Sequence, residues 1–363
     1  MTRRVLDRGG DVLHADPLRA AMQAAFSVTS DGAPTLPRRR MLTALGAFAL
    51  SGRAADAQGV AAPPPLRAAR ILVGFPPGAA TDGTARLLAE RLRGRYAAAV
   101  VVENRPGAGG RLALEAAKAA EPDGTTLVFT PSDMLTIYPH VYGPRLRYEP
   151  HADFVPVAAV ARFHLALAAG PAMPAGAGLA EVLAWARGQA SVPFGIPGAG
   201  TFPHFLGLQL AQAAGLTLTP VVYRGGAPSV QDLVAGQIPL AISALGDFVP
   251  QLDGGRLRLL AVASPERLPG IPAVPTFAEG GFGALTLAGW WGVLLPARTP
   301  APLATALDRA LAEALVQPET HDGIARFGAV PYYEGPAALA ARIARETAGW
   351  APVVAASGFR AED

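Results

Sequence analysis

Residues 74–82 read Gly-Phe-Pro-Pro-Gly-Ala-Ala-Thr-Asp and join a short apolar strand, residues 71–73, to an amphipathic helix. Thr81 or Asp82 is predicted to cap that helix, because apolar residues recur at helical spacing directly after it. The first N–H groups of a helix carry a partial positive charge and favour an anion. This loop is therefore predicted to hold a carboxylate or a phosphate.

The composition permits two ordinary domains, since 51% of the 363 residues are hydrophobic. The absence of cysteine excludes disulfides, thiolate metal sites and cysteine nucleophiles. Residues 1–57 contain eight of the 31 basic and five of the 28 acidic residues, so residues 58–363 contain 23 of each. This balanced body, without a basic run, argues against nucleic-acid binding.

Residues 1–57 have the features of an exported leader. Arg38–Arg40 precede the apolar run Met41–Leu50, and Ala55-Asp56-Ala57 is a small-residue cleavage site. The run is shorter than the roughly 20 residues of a membrane-spanning helix. We therefore expect a signal peptide around residues 38–57 and a periplasmic protein, with the twin-arginine and Sec routes both open.

The body of the chain alternates short apolar strands with amphipathic helices, which predicts an α/β fold with parallel strands. The long apolar segment 285–295 is predicted to return the chain to its first set of strands. We therefore expect one lobe from residues 66–166 plus 288–363 and a second from residues 167–287. A ligand cleft is predicted between these two lobes.

Further loops resemble the one at residues 74–82. Pro197–Thr201 follows a predicted strand and opens a helix, with Thr201 as its candidate cap, and Tyr223–Ser229 does the same. Ser132 and Asp133 follow another strand at the corresponding end. The loop Pro197–Thr201 does not have nucleotide-binding spacing, and each of these loops alone is most simply a turn. Their recurrence at four strand ends favours a binding site.

The sequence gives no indication of a catalyst. The histidines at 140, 151, 164, 204 and 321 lack metal-ligand spacing, and no G-x-S-x-G motif is present. We therefore predict a protein that is not an enzyme and requires neither metal nor cofactor.

Seven ordered motifs, spread over residues 66–358, resemble those of the Bug family. Members of this family are extracytoplasmic solute receptors of tripartite tricarboxylate transporters. The motifs are Phe75-Pro76-Pro77-Gly78-x-x-x-Asp82, Glu103-Asn104-Arg105-Pro106-Gly107-Ala108-Gly109-Gly110, Pro122-Asp123-Gly124, Gly198-x-Gly200-Thr201-x-x-His204, Tyr223-x-Gly225-x-Ala227-Pro228, Gly255-Arg256-Leu257-Arg258 and Pro272-x-Val274-Pro275-Thr276.

The resemblance implies a two-lobed periplasmic binding protein of type II that closes on a small organic acid. It also implies membrane permease subunits as partners, and we expect the receptor to be a monomer. Carried over by motif, the ligand-binding residues are Phe75, Gly78, Ala79, Asp82 and Ser132 in the first lobe, and Gly198, Gly200, Thr201, His204, Tyr223 and Ser243 in the second.

Several positions depart from the family pattern. Ala79 stands where glycine is usual, and Pro197 removes a hydrogen-bond donor from its loop. Ser243 stands where many members carry an aspartate that can pair with a ligand amine. An amino-acid ligand is therefore disfavoured, although Asp247 lies one helical turn away.

Two other functions stay open on the sequence. One is a receptor that senses the same ligand for a membrane kinase. The other is a secreted hydrolase or isomerase that would use Asp82, Ser132 or His204 as acid, base or nucleophile.

Overall fold

The computed structural model describes residues 65–361, so the predicted leader at residues 1–57 lies outside the described residues. Within that range, no helix is both long and apolar enough to cross a membrane. The ten strands of the described chain are β1 (Leu66–Val73), β2 (Ala97–Asn104), β3 (Thr126–Pro131), β4 (Phe154–Ala169), β5 (Val192–Ile196), β6 (Leu218–Val222), β7 (Leu240–Ala244), β8 (Arg258–Val262), β9 (Ala288–Pro296) and β10 (Ala329–Glu334).

Helices alternate with these strands along most of the chain. Between residues 65 and 361 the α-helices are α1 (Ala80–Leu92), α2 (Arg111–Lys118), α3 (Asp133–Thr136), α4 (Tyr138–Tyr142), α5 (Leu179–Arg187), α6 (Phe202–Ala214), α7 (Gly226–Val234), α8 (Leu245–Leu252), α9 (Ala301–Leu315), α10 (Pro318–Ala325) and α11 (Pro336–Ser357).

The long strand β4 joins two groups of strands. Its first part pairs with β9 and β10, and the β9 pairing ends where His164 lies opposite Ala288. From Leu165 onward it pairs with β7 and β8 instead. The overall strand order is β2-β1-β3-β9-β4-β7-β5-β6, with β8 and β10 also paired to β4. One strand therefore belongs to both halves of the molecule.

The predicted α/β, two-lobed fold class is confirmed. Strands β1, β2 and β3 are parallel, as are β5, β6 and β7, whereas β4 and β9 run antiparallel to their neighbours. The sheet is thus mixed rather than parallel throughout. We keep residues 66–166 plus 288–363 as the proposed lobe 1 and residues 167–287 as the proposed lobe 2. The change of partner along β4 occurs at residue 165, close to the first of these boundaries.

The alternation of strands and helices predicted the fold class, but some elements were not indicated by it. Strand β4 is sixteen residues long, and the alternating pattern does not indicate a strand of that length. Helix α3 was not predicted because all four of its residues are buried. Helix α8 was also not predicted, and Pro250 lies inside it.

The core of lobe 1 fixes the position of the cleft. Leu88 and Leu92 on α1 are fully buried, which contributes about 1.5–3 kcal/mol for each side chain. Trp290 on β9 is also fully buried, and its Nε1–H donates to Glu346 Oε2 at 2.9 Å. Arg342 donates to the same carboxylate at 2.6 Å. These contacts hold β9, and with it the adjacent Trp291, beside the cleft.

Candidate functional site

A small cavity of about 40 Å³ lies where loops of the two proposed lobes meet. Its wall is mostly apolar, with a few hydroxyl and carboxyl groups, which is the usual composition of a small-molecule site. The lining residues are Phe75, Ala79, Thr81, Pro131, Asp133, Phe163, Leu165, Pro197, Thr201, Pro203, Gly226, Ser243, Ala244, Asp247 and Trp291.

The loop before α1 is anchored by Asp82. Its Oδ2 accepts from the Gly78 N–H at 3.1 Å and from Arg86 Nε at 2.9 Å, and its Oδ1 accepts from Asn104 Nδ2 at 2.8 Å. Burial alone raises the pKa of Asp82, but the bonds from Arg86, Asn104 and Gly78 outweigh it and hold the pKa below its usual value. Asp82 therefore shapes the loop from behind and does not line the cavity.

Helix α1 begins at Ala80, and its N-cap residue Ala79 makes no side-chain capping bond. The predicted cap at Thr81 or Asp82 is wrong, because both residues lie inside the first turn. The carboxylate that meets this helix start comes instead from lobe 2. Asp247 Oδ1 accepts from the Ala80 N–H at 2.9 Å.

Asp247 joins three helix starts. It lies in the first turn of α8, and its Oδ2 accepts from the Ser243 hydroxyl at the end of β7. It also lies against the first residue of α7, since a Cβ added to Gly226 would come within 2.0 Å of Asp247 Oδ2. Burial raises the pKa of Asp247, while the bonds from Ser243 and Ala80 lower it by less.

Asp133 makes the converse connection, from lobe 1 to lobe 2. Its Oδ2 accepts from the Phe202 N–H at the start of α6 at 3.1 Å, and its Oδ1 accepts from the Met134 N–H at 3.1 Å. Burial raises the pKa of Asp133 to about 6, against the lowering effect of these two N–H groups. Each lobe thus places an aspartate at a helix start of the other, with Asp133 buried and Asp247 partly buried.

Four of the eleven residues predicted to bind ligand line the cavity, namely Phe75, Ala79, Thr201 and Ser243. Thr201 is the N-cap residue of α6, as predicted, but its hydroxyl donates to the Gly198 carbonyl at 2.7 Å rather than capping the helix. The structure places the other seven residues outside the cavity lining: Gly78, Asp82, Ser132, Gly198, Gly200, His204 and Tyr223.

The glycines of the lobe 2 loop allow close approach to lobe 1. Gly200 has a φ of +73°, and a Cβ there would lie 2.8 Å from Val141. A Cβ on Gly198 would lie 3.5 Å from the Gly109 Cα. Tyr223 points elsewhere, because its hydroxyl donates to Asp232 at 2.8 Å.

Ser132 and His204 are engaged with backbone groups. Ser132 Oγ accepts from the Trp290 N–H at 3.2 Å, and His204 Nδ1 accepts from the Gly200 N–H at 3.1 Å. Burial lowers the pKa of His204 to about 4, so its ring is neutral near pH 7. In the described chain, Asp82, Ser132 and His204 each bond to different groups, which is not the nucleophile–base arrangement of a hydrolase.

Residues 65–361 contain no group of three or more acidic or histidine side chains placed to hold a metal ion. Three lining residues were absent from the predicted site, namely the two acidic residues Asp133 and Asp247 and the large aromatic residue Trp291. The sequence did carry a signal for the first two. Asp133 follows a strand end, and Asp247 lies one helical turn beyond Ser243.

A family model described as "Tripartite tricarboxylate transporter family receptor" matches residues 84–359. Protein BugT of Bordetella pertussis is 31% identical over 326 residues, which cover 88% of this chain and 98% of BugT. Among solved structures, periplasmic binding protein BugD has a TM-score of 0.77 at 28% identity and covers 82% of this chain and 100% of its own.

Two solved structures from Rhodopseudomonas palustris are similar at 29% identity and contain small acids. One, determined with adipate, has a TM-score of 0.78 and covers 82% of this chain and 99% of its own. The other, MatC with bound malate, has a TM-score of 0.73 and covers 80% and 99%.

Proposed function

This chain belongs to the receptor family of tripartite tricarboxylate transporters, and on that premise we propose that it binds a small organic acid in the cavity between its lobes. The observation that carries the proposal is the convergence of loops from both lobes, through Ala79 and Thr201, on one partly apolar cavity. Adipate and malate in two related structures support a carboxylate as the ligand.

The contacts around the cavity support binding by closure of the two lobes. The starts of α1 and α7 both border the cavity, through Thr81 and Gly226. First-turn N–H groups such as that of Thr81 have no acceptor within their helix and favour a carboxylate. A ligand that contacts both lobes stabilises the closed arrangement, and the closed surface is what a membrane permease recognises.

We propose further that the protein acts in the periplasm as a monomer and does not transform its ligand. Export by the segment around residues 38–57 would bring it there. One chain supplies both sides of the cavity, so a single copy is sufficient for binding. The separate engagement of Ser132 and His204 with backbone groups supports a role without catalysis.

A thermal-shift screen against small mono- and dicarboxylates tests the proposal. A ligand at 100 times its Kd stabilises the folded state by about 2.7 kcal/mol, and the ligand is expected to be recovered unchanged. Ala79→Leu fills the cavity and should abolish the shift. Ala301→Leu, at the exposed first residue of α9, is the matched control and should preserve it. The proposal is wrong if no carboxylate binds with a Kd below about 1 mM.

A further inference from the structure

We infer that the ligand is a monocarboxylate whose other end carries an N–H or O–H donor, and that Asp247 is the residue that discriminates against dicarboxylates. This inference rests on the proposed function, because it specifies which class of carboxylate the same cavity accepts. It follows from the side chains of this cavity and from how the lobes already satisfy each other's helix starts.

The two helix starts that face each other across the cleft already hold carboxylates of the protein itself. The Ala80 N–H of α1 donates to Asp247, and the Phe202 N–H of α6 donates to Asp133. A ligand with two carboxylates would need equivalent donors at both of its ends. The protein's own aspartates have taken one such donor from each lobe.

The charge of the cavity wall also disfavours a dicarboxylate. Asp133 and Asp247 line it, while none of the described lining residues is Lys, Arg or His. Arg86, on the first helix after the loop, is instead bonded to Asp82. Charges of the same sign repel several-fold more strongly at the effective dielectric constant of a protein than in water. A dianion beside these two carboxyl groups must therefore either tolerate that repulsion or bind together with a proton.

Asp247 is suited to accept a hydrogen bond from the ligand. A carboxylate has about four acceptor positions, and the Ala80 N–H and the Ser243 hydroxyl occupy two of them. The carboxyl group borders the cavity, so its remaining acceptor positions are available to a ligand hydroxyl, amide or amine. Asp247 is half-buried, and an acceptor that is left unpaired away from water is costly.

The rest of the wall suits an apolar ligand body. Phe163 and Trp291 stack with ring centroids 4.8 Å apart, and both line the cavity together with Phe75. Such a surface contributes through burial of apolar area and supplies no charge. The combination selects a short apolar chain or ring with one carboxylate and one neutral or cationic donor.

Calorimetric titration with matched acids tests the inference. The probes are succinate with its monoamide succinamate, and adipate with its monoamide adipamate, so that length is constant and one carboxylate becomes an amide. At pH 7.5 the protein is expected to bind the better monoamide at least about tenfold more tightly than the corresponding dicarboxylate. Asp247→Asn should reduce that ratio about tenfold, because the amide keeps an acceptor for the Ala80 N–H while removing the charge.

Asp253→Asn is the matched control, since Asp253 is an exposed residue at the end of the same helix, α8, and the ratio should not change. Equal or tighter binding of the dicarboxylates by the unmodified protein overturns the inference and leaves the proposed function standing. Failure of every mono- and dicarboxylate of the broader screen to bind overturns the proposed function itself. If Asp247→Asn melts like the unmodified protein yet keeps the full ratio, Asp247 is not the discriminating residue. Should Asp247→Asn fail to fold, the ratio in the unmodified protein still decides the ligand class.

Discussion

The starts of α1 and α6 lie on opposite lobes and are built alike, yet the two aspartates that meet them are held differently. Asp247, at the start of α1, borders the cavity and is bonded by a backbone N–H and the Ser243 hydroxyl. Asp133, at the start of α6, is only 3% exposed and is bonded by two backbone N–H groups. Both carboxyl groups line the cavity, but Asp247 is only partly buried, so we expect it to be the one that reaches a ligand while Asp133 mainly joins the lobes.

This difference shows how a carboxylate at a helix start can serve two purposes. A carboxylate at a helix start gains from the free N–H groups and the helix dipole, typically 0.3–1 kcal/mol and up to about 2 kcal/mol when partly buried. Where the carboxylate is partly exposed to the cavity, as in Asp247, it determines which ligand can approach. Where it lines the cavity but is almost wholly covered by protein, as in Asp133, its main contribution is to the arrangement of the lobes.

The largest effect is expected from Gly246→Ala, which changes the residue before Asp247 and tests how closely the start of α8 packs against lobe 1. A Cβ at Gly246 would come 1.8 Å from the Phe327 carbonyl oxygen and 2.8 Å from the Ala80 Cβ, so the start of α8 must move away from lobe 1. We expect a loss of about 3 kcal/mol in the free energy of unfolding, measured by urea denaturation. Gly270→Ala is the control, because no atom lies within 4 Å of its added Cβ. Equal stability of the two variants would show that this close approach does not constrain the lobes.

The pH dependence of the free energy of unfolding tests the burial of Asp133 at the start of α6. Its pKa is raised by burial from 3.8 to about 6, so its stabilising contribution is complete below about pH 3.8 and is lost as the pH rises through 6. The stability of the unmodified protein minus that of Asp133→Asn should therefore fall between pH 4 and pH 8, by at most about 3 kcal/mol.

The contribution of His204 to stability should change with pH in the opposite direction. Burial lowers its pKa from 6.5 to about 4, so its contribution is complete above pH 6.5 and is lost as the pH falls through 4. The corresponding difference for His204→Asn should rise with pH over the window in which that for Asp133→Asn falls. Parallel difference curves would contradict the burial assigned to one of the two residues.

A smaller effect is expected from Ser243→Ala. It removes a hydroxyl donor from the Asp247 carboxyl group and should cost about 2 kcal/mol of unfolding free energy, as is typical for a hydrogen bond to a charged group. Ser191→Ala is the matched control, since Ser191 bonds Thr219 at an exposed position and its loss should cost less than about 0.5 kcal/mol. Similar losses in the two variants would mean that the Ser243 bond contributes nothing beyond an ordinary surface contact.

The smallest effect is expected from Tyr223→Phe. The Tyr223 hydroxyl bonds Asp232 on α7 and does not line the cavity, so the Kd of the best carboxylate should change less than about twofold. Calorimetry with that carboxylate measures the change. A loss of tenfold or more would return Tyr223 to the ligand site predicted by its motif.

The sequence was sufficient to predict the fold class and the loops that meet at the cleft. Strand–loop–helix patterning located residues 74–82 and 197–201, and the structure brings Ala79 and Thr201 from these two loops into one cavity. It could not assign the partner of each helix start, because the Ala80–Asp247 bond joins residues 167 positions apart. No local pattern encodes a contact that depends on how two lobes close.

Individual side chains were harder to assign than loops. Asp82 and His204 lie within the motifs, yet one supports its loop from behind and the other binds the Gly200 N–H. A motif can contain both residues that contact a ligand and residues that hold the loop in shape, and sequence alone does not separate them. Asp133 lies in none of the seven motifs, and only its position after a strand indicated a role.

The most direct test of this account is a crystal structure of the protein with the carboxylate that stabilises it most. The account predicts that the ligand lies between the lobes, in contact with the Ala79–Thr81 segment of one lobe and with Thr201 or Gly226 of the other. A ligand bound on one lobe only, or at a surface outside this cavity, would contradict it.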